Sequence, residues 1–517
     1  MKRMPIAIAA LAVVVMTLFT RPRTFWQGEE VRFAQALLTF DPVHRQPEPP
    51  GYPLYVAIGR LLNFFVHEPF TTLLVLSVIA CGAGAVLTGL AAAELLGSDS
   101  LGAAAVIVLY FSPAMLVFAP LPNAEAAGVA LIAAALLWSG VFAGAAIGVL
   151  PQVAPAMLVF FRRRPRTAAA TLALIFIPFF EWIPPSYVTK SLALPHGFAV
   201  KELLLRFVAH PWGAKWLSVP LLIVAAIGCV MTIRRVWPLL VFAAIHLIVC
   251  FGFGDPLAGV EPVIPAMIAV AILFAAAFSR WPRVAIVAAI AYAAGSVVYA
   301  WPVLELRRAS PSPPARAMRD ARQSLPPRAV LICDDAMEPW GRLSRFNIAS
   351  SADFDRYADV LDVPLYLAAD GNSHAPGAHV FSWPASDAYG KMATERYRVV
   401  SIVPLPPAMR YRSMGGVYAF ERTADGGEGR WLAGEATIAL PRIGARVIHL
   451  RLGLPVDAPF DQNVITVGGT TVTVPRGRSV DVSFASASPL RIHAAQTFTS
   501  RRDGRTLSVQ LLLLEQR

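Results

Sequence analysis

The pattern of hydrophobic and polar positions divides the chain near Leu304. Before that residue, apolar runs near or above 18 residues recur, and runs of this length are typical of transmembrane helices. The predicted spans are 1–20, 70–96, 100–118, 126–147, 167–186, 214–232, 236–253, 259–279 and 282–304. The pattern thus predicts a polytopic α-helical membrane domain over 1–306 with about 9–11 helices.

One apolar stretch is too short and too broken to span a membrane alone. It covers 148–161 and contains Pro151 and Pro155. Proline removes a backbone donor and interrupts a helix. The stretch therefore predicts a half-helix, which would add to the nine crossings.

Beyond Leu304 the long apolar runs disappear and charged residues become frequent. The segment "RRASPSPPAR" (307–316) is rich in Pro and Ser, as domain linkers are. After it, short β-branched runs such as 328–333 and 397–405 alternate with helical stretches such as 315–323. This alternation predicts a small α/β domain over 317–423.

The end of the chain is dominated by strand patterns. A second linker, "TADGGEG", covers 423–429. In "NVITVGGTTVTVP" (463–475), two alternating runs flank Gly468-Gly469, which predicts a β-hairpin. We therefore predict a C-terminal β-sandwich over 430–517.

The first span has two interpretations. It begins with Lys2 and Arg3 and continues with an apolar body, as a signal peptide does. No small-residue cleavage site follows it, because the next residues are Arg21-Pro22-Arg23. We favour an uncleaved first helix over a signal peptide.

Charge indicates an orientation in the membrane. The formal net charge is +12, and arginine clusters lie at 162–166, 234–235 and 280–283. Cytoplasmic loops of membrane proteins collect such residues. With these clusters inside, the N-terminus is cytoplasmic and the soluble half lies on the outer, periplasmic side. Nucleic-acid binding has little support, since no basic helix with interleaved aromatics occurs after the membrane half.

Cysteine and histidine offer little chemistry. The four cysteines, Cys81, Cys229, Cys250 and Cys333, form no CxxC pair and no zinc spacing. His246 lies inside a predicted span, where a hydrogen-bonded interior histidine is the expected role. The sequence assigns no metal ligands and leaves a divalent-metal requirement open.

The outer loop 21–69 concentrates charged and aromatic residues. Within it, "EEVRFAQALLTF" (29–40) has the apolar spacing of an amphipathic helix lying on a membrane surface. The segment "GYPLYVAIGRLLNFFV" (51–66) predicts a second interfacial helix. A plainer alternative is that the loop is polar only because it meets water.

Two further outer loops carry acidic residues next to predicted spans. "PLPNAEAA" (120–127) contains Asn123 and Glu125, and "GDPLAGVEPVIP" (254–265) contains Asp255 and Glu261. Carboxyl groups near the membrane are costly and are commonly functional. Together with loop 21–69 they predict a polar cavity at the outer membrane surface.

Several of these segments resemble one enzyme family. The elbow "QPEPPGYPLYVAIGRLL" (46–62), preceded by "EEVRFAQAL" (29–37), is similar to the first outer loop of bacterial GT-C membrane glycosyltransferases related to protein O-mannosyltransferases. Two soluble segments, 381–405 and 503–511, resemble the tails of such proteins. The resemblance implies a bacterial inner-membrane enzyme that moves a sugar from a polyprenyl-phosphate carrier to an acceptor on the periplasmic side.

The same resemblance implies roles for individual residues. Glu29 matches the family's first-loop acid and would be the general base, with Glu30 as the alternative base and Glu125 as a second acid. Donor-phosphate and substrate contacts are assigned, partly from charge and location alone, to Arg32, Arg45, Arg60, His44, Glu48, Tyr52 and Asn123.

This chain departs from the family pattern at three places. Glu29 stands where Asp is usual, Glu48 stands where the elbow usually has His, and 150–152 reads Leu-Pro-Gln where an Arg-Pro pair is frequent. Two alternatives therefore stay open. The elbow is only a helix start without a catalytic role, or the protein binds a lipid-linked glycan for transport or assembly without transferring it.

Overall fold

The computed structural model covers the chain with gaps. The described residues are 3–41, 45–47, 51–161, 165–180, 204–253, 260–334, 336–344, 346–373, 375–383, 399–422, 428–441, 443–444, 447–456, 458–485, 488–500 and 504–517. They fall into two compact units, Met1–Pro311 and the described residues from Ser312 to Arg517. The first is helical and the second is rich in β-strands.

The first unit is built from α-helices. Those of the described residues are α1 (Met4–Phe19), α2 (Gly28–Leu38), α3 (Pro53–Val66), α4 (Pro69–Leu96), α5 (Asp99–Tyr110), α6 (Pro113–Phe118), α7 (Glu125–Trp138), α8 (Val141–Val149), α9 (Ala154–Phe161), α10 (Pro165–Phe180), α11 (Lys215–Phe253), α12 (Ile264–Ala277) and α13 (Pro282–Ala309). Many begin with proline, which suits the first helical position because the N–H there has no intrahelical partner.

Three helices of the described residues are long and apolar enough to cross a membrane, namely α4, α11 and α13. The other apolar helices are shorter. Most predicted spans nevertheless coincide with a helix or with two helices in succession. The predicted half-helix is confirmed, since a 3₁₀ turn at Pro151–Val153 leads into α9.

The predicted pair of helices 214–232 and 236–253 is wrong. Residues Lys215–Phe253 form one helix of 39 residues, with Pro220 and Pro238 inside it. Packing explains the continuity: Ala225 and Val236, on either side of the arginine pair, both pack in one apolar cluster with Leu273 of α12. Arg234 and Arg235 point outward and are exposed, so the helix passes them without a turn.

Two other predicted spans are broken into pairs of helices. The span 100–118 breaks at Phe111, and Ser112 then caps α6 by accepting a hydrogen bond from the Met115 N–H. The span 126–147 breaks at Ser139 and Gly140, which both have positive φ, at 50° and 56°. A left-handed residue pair cannot continue an α-helix, so α7 and α8 are separate.

The second unit begins with helix α14 (Pro313–Ser324) and a five-stranded sheet. Its strands are β1 (Val330–Cys333), β2 (Asn347–Ser350), β3 (Leu365–Asp370), β4 (His379–Ser382) and β5 (Val399–Pro404), with helix α15 (Glu338–Leu343) between β1 and β2. The order is β2-β1-β3-β5-β4. Strands β1, β2 and β3 are parallel, whereas β5 is antiparallel to both β3 and β4.

An antiparallel eight-stranded sheet follows. It contains β6 (Arg412–Arg422), β7 (Glu428–Ala439), β8 (Val447–Leu454), β9 (Gln462–Val467), β10 (Thr470–Pro475), β11 (Arg478–Ala485), β12 (Leu490–Ala494) and β15 (Gln510–Gln516). A short two-stranded pair, β13 (Phe498–Thr499) and β14 (Thr506–Leu507), falls between β12 and β15 along the chain. The predicted hairpin is confirmed: β9 pairs β10, and Gly468 and Gly469 have φ of 54° and 80°.

One hydrophobic core runs through the second unit. Ile332 and Leu367 of the first sheet belong to the same buried cluster as Leu450 and Ile492 of the second. Arg430 of β7 adds an ion pair between the two parts of this unit. Its guanidinium lies 3.2 Å from the carboxylate of Asp355, which precedes β3. The predicted boundary at 423–429 stays a prediction, and residues 423–427 lie outside the described part of the chain.

Candidate active site

Helix α2 carries two acidic residues, Glu29 and Glu30, in its first turn. Carboxylates are favoured there because the helix dipole presents a partial positive charge at its N-terminus. The predicted helix is confirmed, and its position on the membrane surface stays a prediction. Glu30, Arg32 and Gln35 are all buried, so protein encloses the polar side of α2 as well as the apolar one.

Glu30 is fully enclosed. Its Oε2 accepts a hydrogen bond of 2.9 Å from the Trp26 N–H, and its Oε1 has no hydrogen-bond partner among the described residues. Burial raises the pKa of the Glu30 carboxyl to about 8, against the opposing effects of the Trp26 hydrogen bond and the Arg307 charge. Glu30 is therefore protonated at neutral pH and poorly suited to act as a base.

Two acids from distant parts of the chain lie near α2. Glu125 begins α7, and Glu261 begins a 3₁₀ turn, Glu261–Val263, just before α12. Gln27 Nε2, at the residue before α2, donates a hydrogen bond of 2.6 Å to Glu261 Oε1. Glu125 lies within electrostatic range of Glu29, Glu30 and Glu261. We call these four residues the acid cluster.

Tyr55 of α3 belongs to the same neighbourhood. It is 1% exposed, and its hydroxyl lies beside the Ser77 side chain without a hydrogen bond of good geometry within the described ranges. The charges of Glu125, Glu30 and Glu29 all act on this hydroxyl. Like Glu30 Oε1, one oxygen each of Glu125 and Glu261 also lacks a partner in the described part of the chain. Buried polar atoms without partners are uncommon in proteins and indicate a site for a further polar group.

Glu29 differs from the rest of the acid cluster in exposure. It is half-buried, whereas Glu30, Glu125 and Glu261 are 0%, 5% and 9% exposed. A general base must come within hydrogen-bond reach of its substrate. Of the four carboxyl groups, Glu29 is thus the one on a residue that is not buried.

A buried arginine lies behind the acid cluster. Arg307 of α13 is 1% exposed, and its guanidinium donates to the carbonyl oxygens of Val117 and Thr20, the latter at 3.0 Å. It also lies over the Trp26 ring, 5.3 Å from the centroid. The sequence places Arg307 on the outer side of the membrane, although arginine is enriched in cytoplasmic loops. The structure gives it a partner, because its charge acts on Glu30.

The three predicted phosphate-binding arginines are placed differently. Arg32 is 4% exposed and its Nη1 lies 3.5 Å from the Arg45 carbonyl oxygen, so these two residues are neighbours. Arg60 donates to the Ala36 carbonyl oxygen at 3.0 and 2.8 Å. Ala36 is about 10 Å along α2 from Glu29 at 1.5 Å per residue. The structure therefore does not bring Arg60 to the acid cluster.

The remaining predicted contacts are only partly described. Asn123 is buried and donates through Nδ2 to the Phe118 carbonyl oxygen at 3.2 Å, which leaves Oδ1 without a partner among the described residues. His44 and Glu48 lie outside the described residues. The same holds for Asp255 of the third outer loop.

The elbow before α3 joins the two loop helices. Tyr52 has φ of 47°, and α3 starts at the following proline. Phe33 of α2 makes edge contacts with Tyr52 and Tyr55, with ring centroids 5.0 and 4.9 Å apart. Helix α3 thus packs on α2 and brings Tyr55 to the acid cluster.

Sequence reasoning missed Glu261, Tyr55 and Arg307 as site residues. Glu261 carried a signal, as an acid at the outer end of a span. Tyr55 and Arg307 carried none, because nothing in a single sequence shows that their hydroxyl and guanidinium approach Glu30. No group of three or more His, Cys, Asp or Glu side chains in the described ranges is arranged to hold a metal ion.

An apolar groove of about 630 Å³ lies between α8, α9 and α10. Its lining is Ile147, Ala154, Pro155, Leu158, Phe161, Leu172 and Ala173. No polar side chain contributes to this lining, so a hydrocarbon chain fits it and a charged group does not.

Comparisons with known proteins give structural similarity at low identity. No protein-family profile matches the sequence, and no curated protein matches it. The chain is similar to the crystal structure of ArnT from Cupriavidus metallidurans bound to undecaprenyl phosphate, with a TM-score of 0.45 and 13% identity over 77% of this chain and 97% of that one.

Two further solved structures are similar to it. The apo state of the same ArnT gives a TM-score of 0.48 and 12% identity over 76% of this chain and 96% of that one. The arabinofuranosyltransferase AftD from Mycobacteria gives 0.40 and 13% identity over 100% of this chain and 62% of that one.

Proposed function

We propose that this protein is a GT-C-like membrane glycosyltransferase of the bacterial inner membrane. It transfers a sugar from a polyprenyl-phosphate carrier to an acceptor on the periplasmic side. The observation that carries the proposal is the acid cluster, in which a half-buried Glu29 stands among buried carboxyl groups next to apolar helices. The sequence resemblance supplies the reaction class.

The reaction assigns separate roles to Glu29 and Glu30. Glu29 takes the proton from the acceptor hydroxyl, whose oxygen forms the new bond to the sugar. The bond between the sugar and the carrier phosphate breaks, and polyprenyl phosphate departs with the electron pair. Glu30 holds its proton at neutral pH because burial raises its pKa to about 8, so it serves as a hydrogen-bond donor rather than as the base.

The departing phosphate requires positive charge. Arg32 and Arg45 are neighbours on the loop that carries Glu29, and we assign the phosphate contact to them. Arg60 donates to the Ala36 carbonyl oxygen near the C-terminal end of α2. We assign Tyr52 and Asn123 to the walls of the substrate site. The apolar groove between α8, α9 and α10 suits a prenyl chain.

A transfer assay tests the proposal. The purified full-length protein is incubated with polyprenyl-phosphate sugars and a panel of acceptors, and donor consumption is measured. Glu29→Gln keeps the size of the side chain and removes the base, so turnover should fall by roughly 10²–10⁴-fold. Glu30→Gln is the matched control, because an amide replaces a carboxyl group that is already neutral, and it should cost much less.

Lipid binding is measured in parallel, with undecaprenyl phosphate as the probe. Glu29→Gln should bind it as well as wild type does, since the carboxyl group is not assigned to the phosphate. If no donor is consumed while the lipid still binds, the non-catalytic alternative replaces the proposal. If Glu29→Gln stays within about threefold of wild type while Glu125→Gln abolishes transfer, Glu29 is not the base, because loss of a base costs far more.

A further inference from the structure

Two side chains of α11 share one backbone oxygen of the turn that carries Glu261. His246 Nε2 lies 2.7 Å from the Pro262 carbonyl oxygen, and Cys250 Sγ lies 3.3 Å from the same oxygen. A carbonyl oxygen only accepts hydrogen bonds, so Nε2 carries the imidazole proton and donates it. The short distance makes His246 the stronger of the two donors.

The imidazole is held in a fixed orientation. His246 is 0% exposed, and its ring lies parallel to that of Phe242, with an interplanar angle of 2° and centroids 6.1 Å apart. Phe160 of α9 packs on Phe242 in turn, at 5.7 Å. A ring fixed in this way directs its N–H at one point, the Pro262 oxygen.

The turn has two backbone hydrogen bonds of its own. The Ile264 N–H donates to the Glu261 carbonyl oxygen. Proline lacks an N–H, so Pro265 cannot donate to the Glu261 carbonyl oxygen four residues earlier. Within the turn, the Val263 N–H donates to the Val260 carbonyl oxygen at a long 3.2 Å. The side-chain donors of α11 to the Pro262 carbonyl oxygen add to these bonds, so the position of Glu261 depends on α11 as well as on the turn itself.

A hydrogen bond connects Glu261 to the start of α2. Its Oε1 accepts the 2.6 Å hydrogen bond from Gln27, the residue that precedes the first turn of α2. We infer that His246 is a positioning residue for the acid cluster: through the Pro262 carbonyl it fixes Glu261, and through Gln27 it fixes the helix turn that carries Glu29. The catalytic part of this inference rests on the proposed transferase function.

Three variants separate the donor from the shape of the side chain. His246→Leu removes the N–H at similar volume, His246→Gln keeps an amide N–H at similar reach, and Cys250→Ala removes only the weaker thiol donor. The first readout does not depend on activity. A hydrophobic carbodiimide labels protonated buried carboxyl groups, and peptide mass spectrometry reports the labelling rate of Glu261. His246→Leu should label faster than wild type, whereas His246→Gln and Cys250→Ala should label as wild type does.

The second readout is transfer. A displacement of about 1 Å at a catalytic group costs on the order of 10²-fold in rate, so His246→Leu should lower kcat by about 10- to 100-fold. The donor KM should stay unchanged, and His246→Gln should restore most of kcat. Because His246 acts through Glu261, adding His246→Leu to Glu261→Gln should cause no further loss.

Each result decides one of the two claims. Equal Glu261 labelling in wild type and His246→Leu overturns the positioning role, and so does an additive loss in the double variant. If wild type consumes no donor, the transferase proposal fails while the labelling rates still decide the positioning role. If His246→Leu does not fold, His246→Asn replaces it, because its amide is one methylene shorter than that of Gln and cannot reach Pro262.

Discussion

At the scale of single residues, the site is set by how each carboxyl group is enclosed. Glu29 and Glu30 are adjacent in sequence and identical in chemistry, yet one is half-buried and the other has no exposed surface. Burial penalises the charged form, so the environment and not the residue type makes the two carboxyl groups differ. The burial of Glu30 also makes the stability of the folded protein depend on pH.

Glu30 should make the protein less stable as pH rises. Its folded-state pKa of about 8 lies above the ordinary 4.5, so between these values the native state keeps a proton that the unfolded chain releases. Below pH 4.5 both states are protonated and Glu30 contributes no slope. Between the two values stability falls by up to about 1.4 kcal/mol per pH unit.

Thermal unfolding in detergent at several pH values measures this effect. Glu30→Gln cannot ionise, so its apparent Tm should fall less than that of wild type from pH 6 to pH 9, because the slope from this group is removed. Glu435→Gln, on an exposed carboxyl group of the second unit, is the control. Parallel Tm curves for wild type and Glu30→Gln would show that Glu30 is not held protonated.

At the scale of elements, close helix packing places the acids. Helix α12 starts at the turn that carries Glu261. The packing of α12 against α11 therefore determines where the Glu261 carboxyl group lies. At Gly228 the two backbones are in near contact, because a Cβ there would clash with the Leu273 carbonyl oxygen. Backbone atoms cannot give way as a flexible side chain can, so a larger residue must push the helices apart.

Gly228→Ala should therefore destabilise the first unit. Overpacking in a close-packed interior typically costs 1–3 kcal/mol, so about that loss is expected, with a lower apparent Tm in detergent. The control is Val230→Leu on the same helix, where the side chain is 79% exposed. An unchanged Tm for Gly228→Ala would contradict the close approach of α11 and α12.

At the scale of the whole molecule, the helices constrain how the chain crosses the membrane. The acid cluster joins the starts of α2 and α7 with the turn before α12, so these three points share one side. Helix α11, at 39 residues, is about 58 Å long at 1.5 Å per residue, nearly twice the hydrocarbon thickness of a bilayer. The orientation predicted from the arginine clusters assumed two membrane crossings, 214–232 and 236–253, where the structure has this one helix.

The side of the membrane remains a prediction that fusions can test. Helix α13 is 28 residues long and apolar, enough for one crossing between Arg283 and Ala315. Reporter fusions after these residues should report opposite sides, with Arg283 inside and Ala315 outside. Both reporters in the cytoplasm would reverse the orientation and place the acid cluster on the wrong side for a periplasmic acceptor.

The sequence by itself determined where helices and strands form. Long apolar runs predicted α4 and α13, the Gly468-Gly469 pair predicted the hairpin, and the apolar spacing of "EEVRFAQALLTF" predicted α2. These features are local, because hydrophobic periodicity and turn chemistry act over a few residues. The acidic residues at helix ends were also visible in the sequence, and their loops predicted a shared polar cavity, but not which side chains meet in it.

Only the tertiary structure decided which of these residues meet. The continuity of α11 across Arg234 and Arg235 depends on packing against α12, and the burial of Glu30 depends on the protein that encloses α2. The approach of Glu261 to Gln27 joins positions 234 residues apart. Such contacts come from the burial of apolar surface by the whole chain, which has no period in the sequence and leaves no local pattern to predict them.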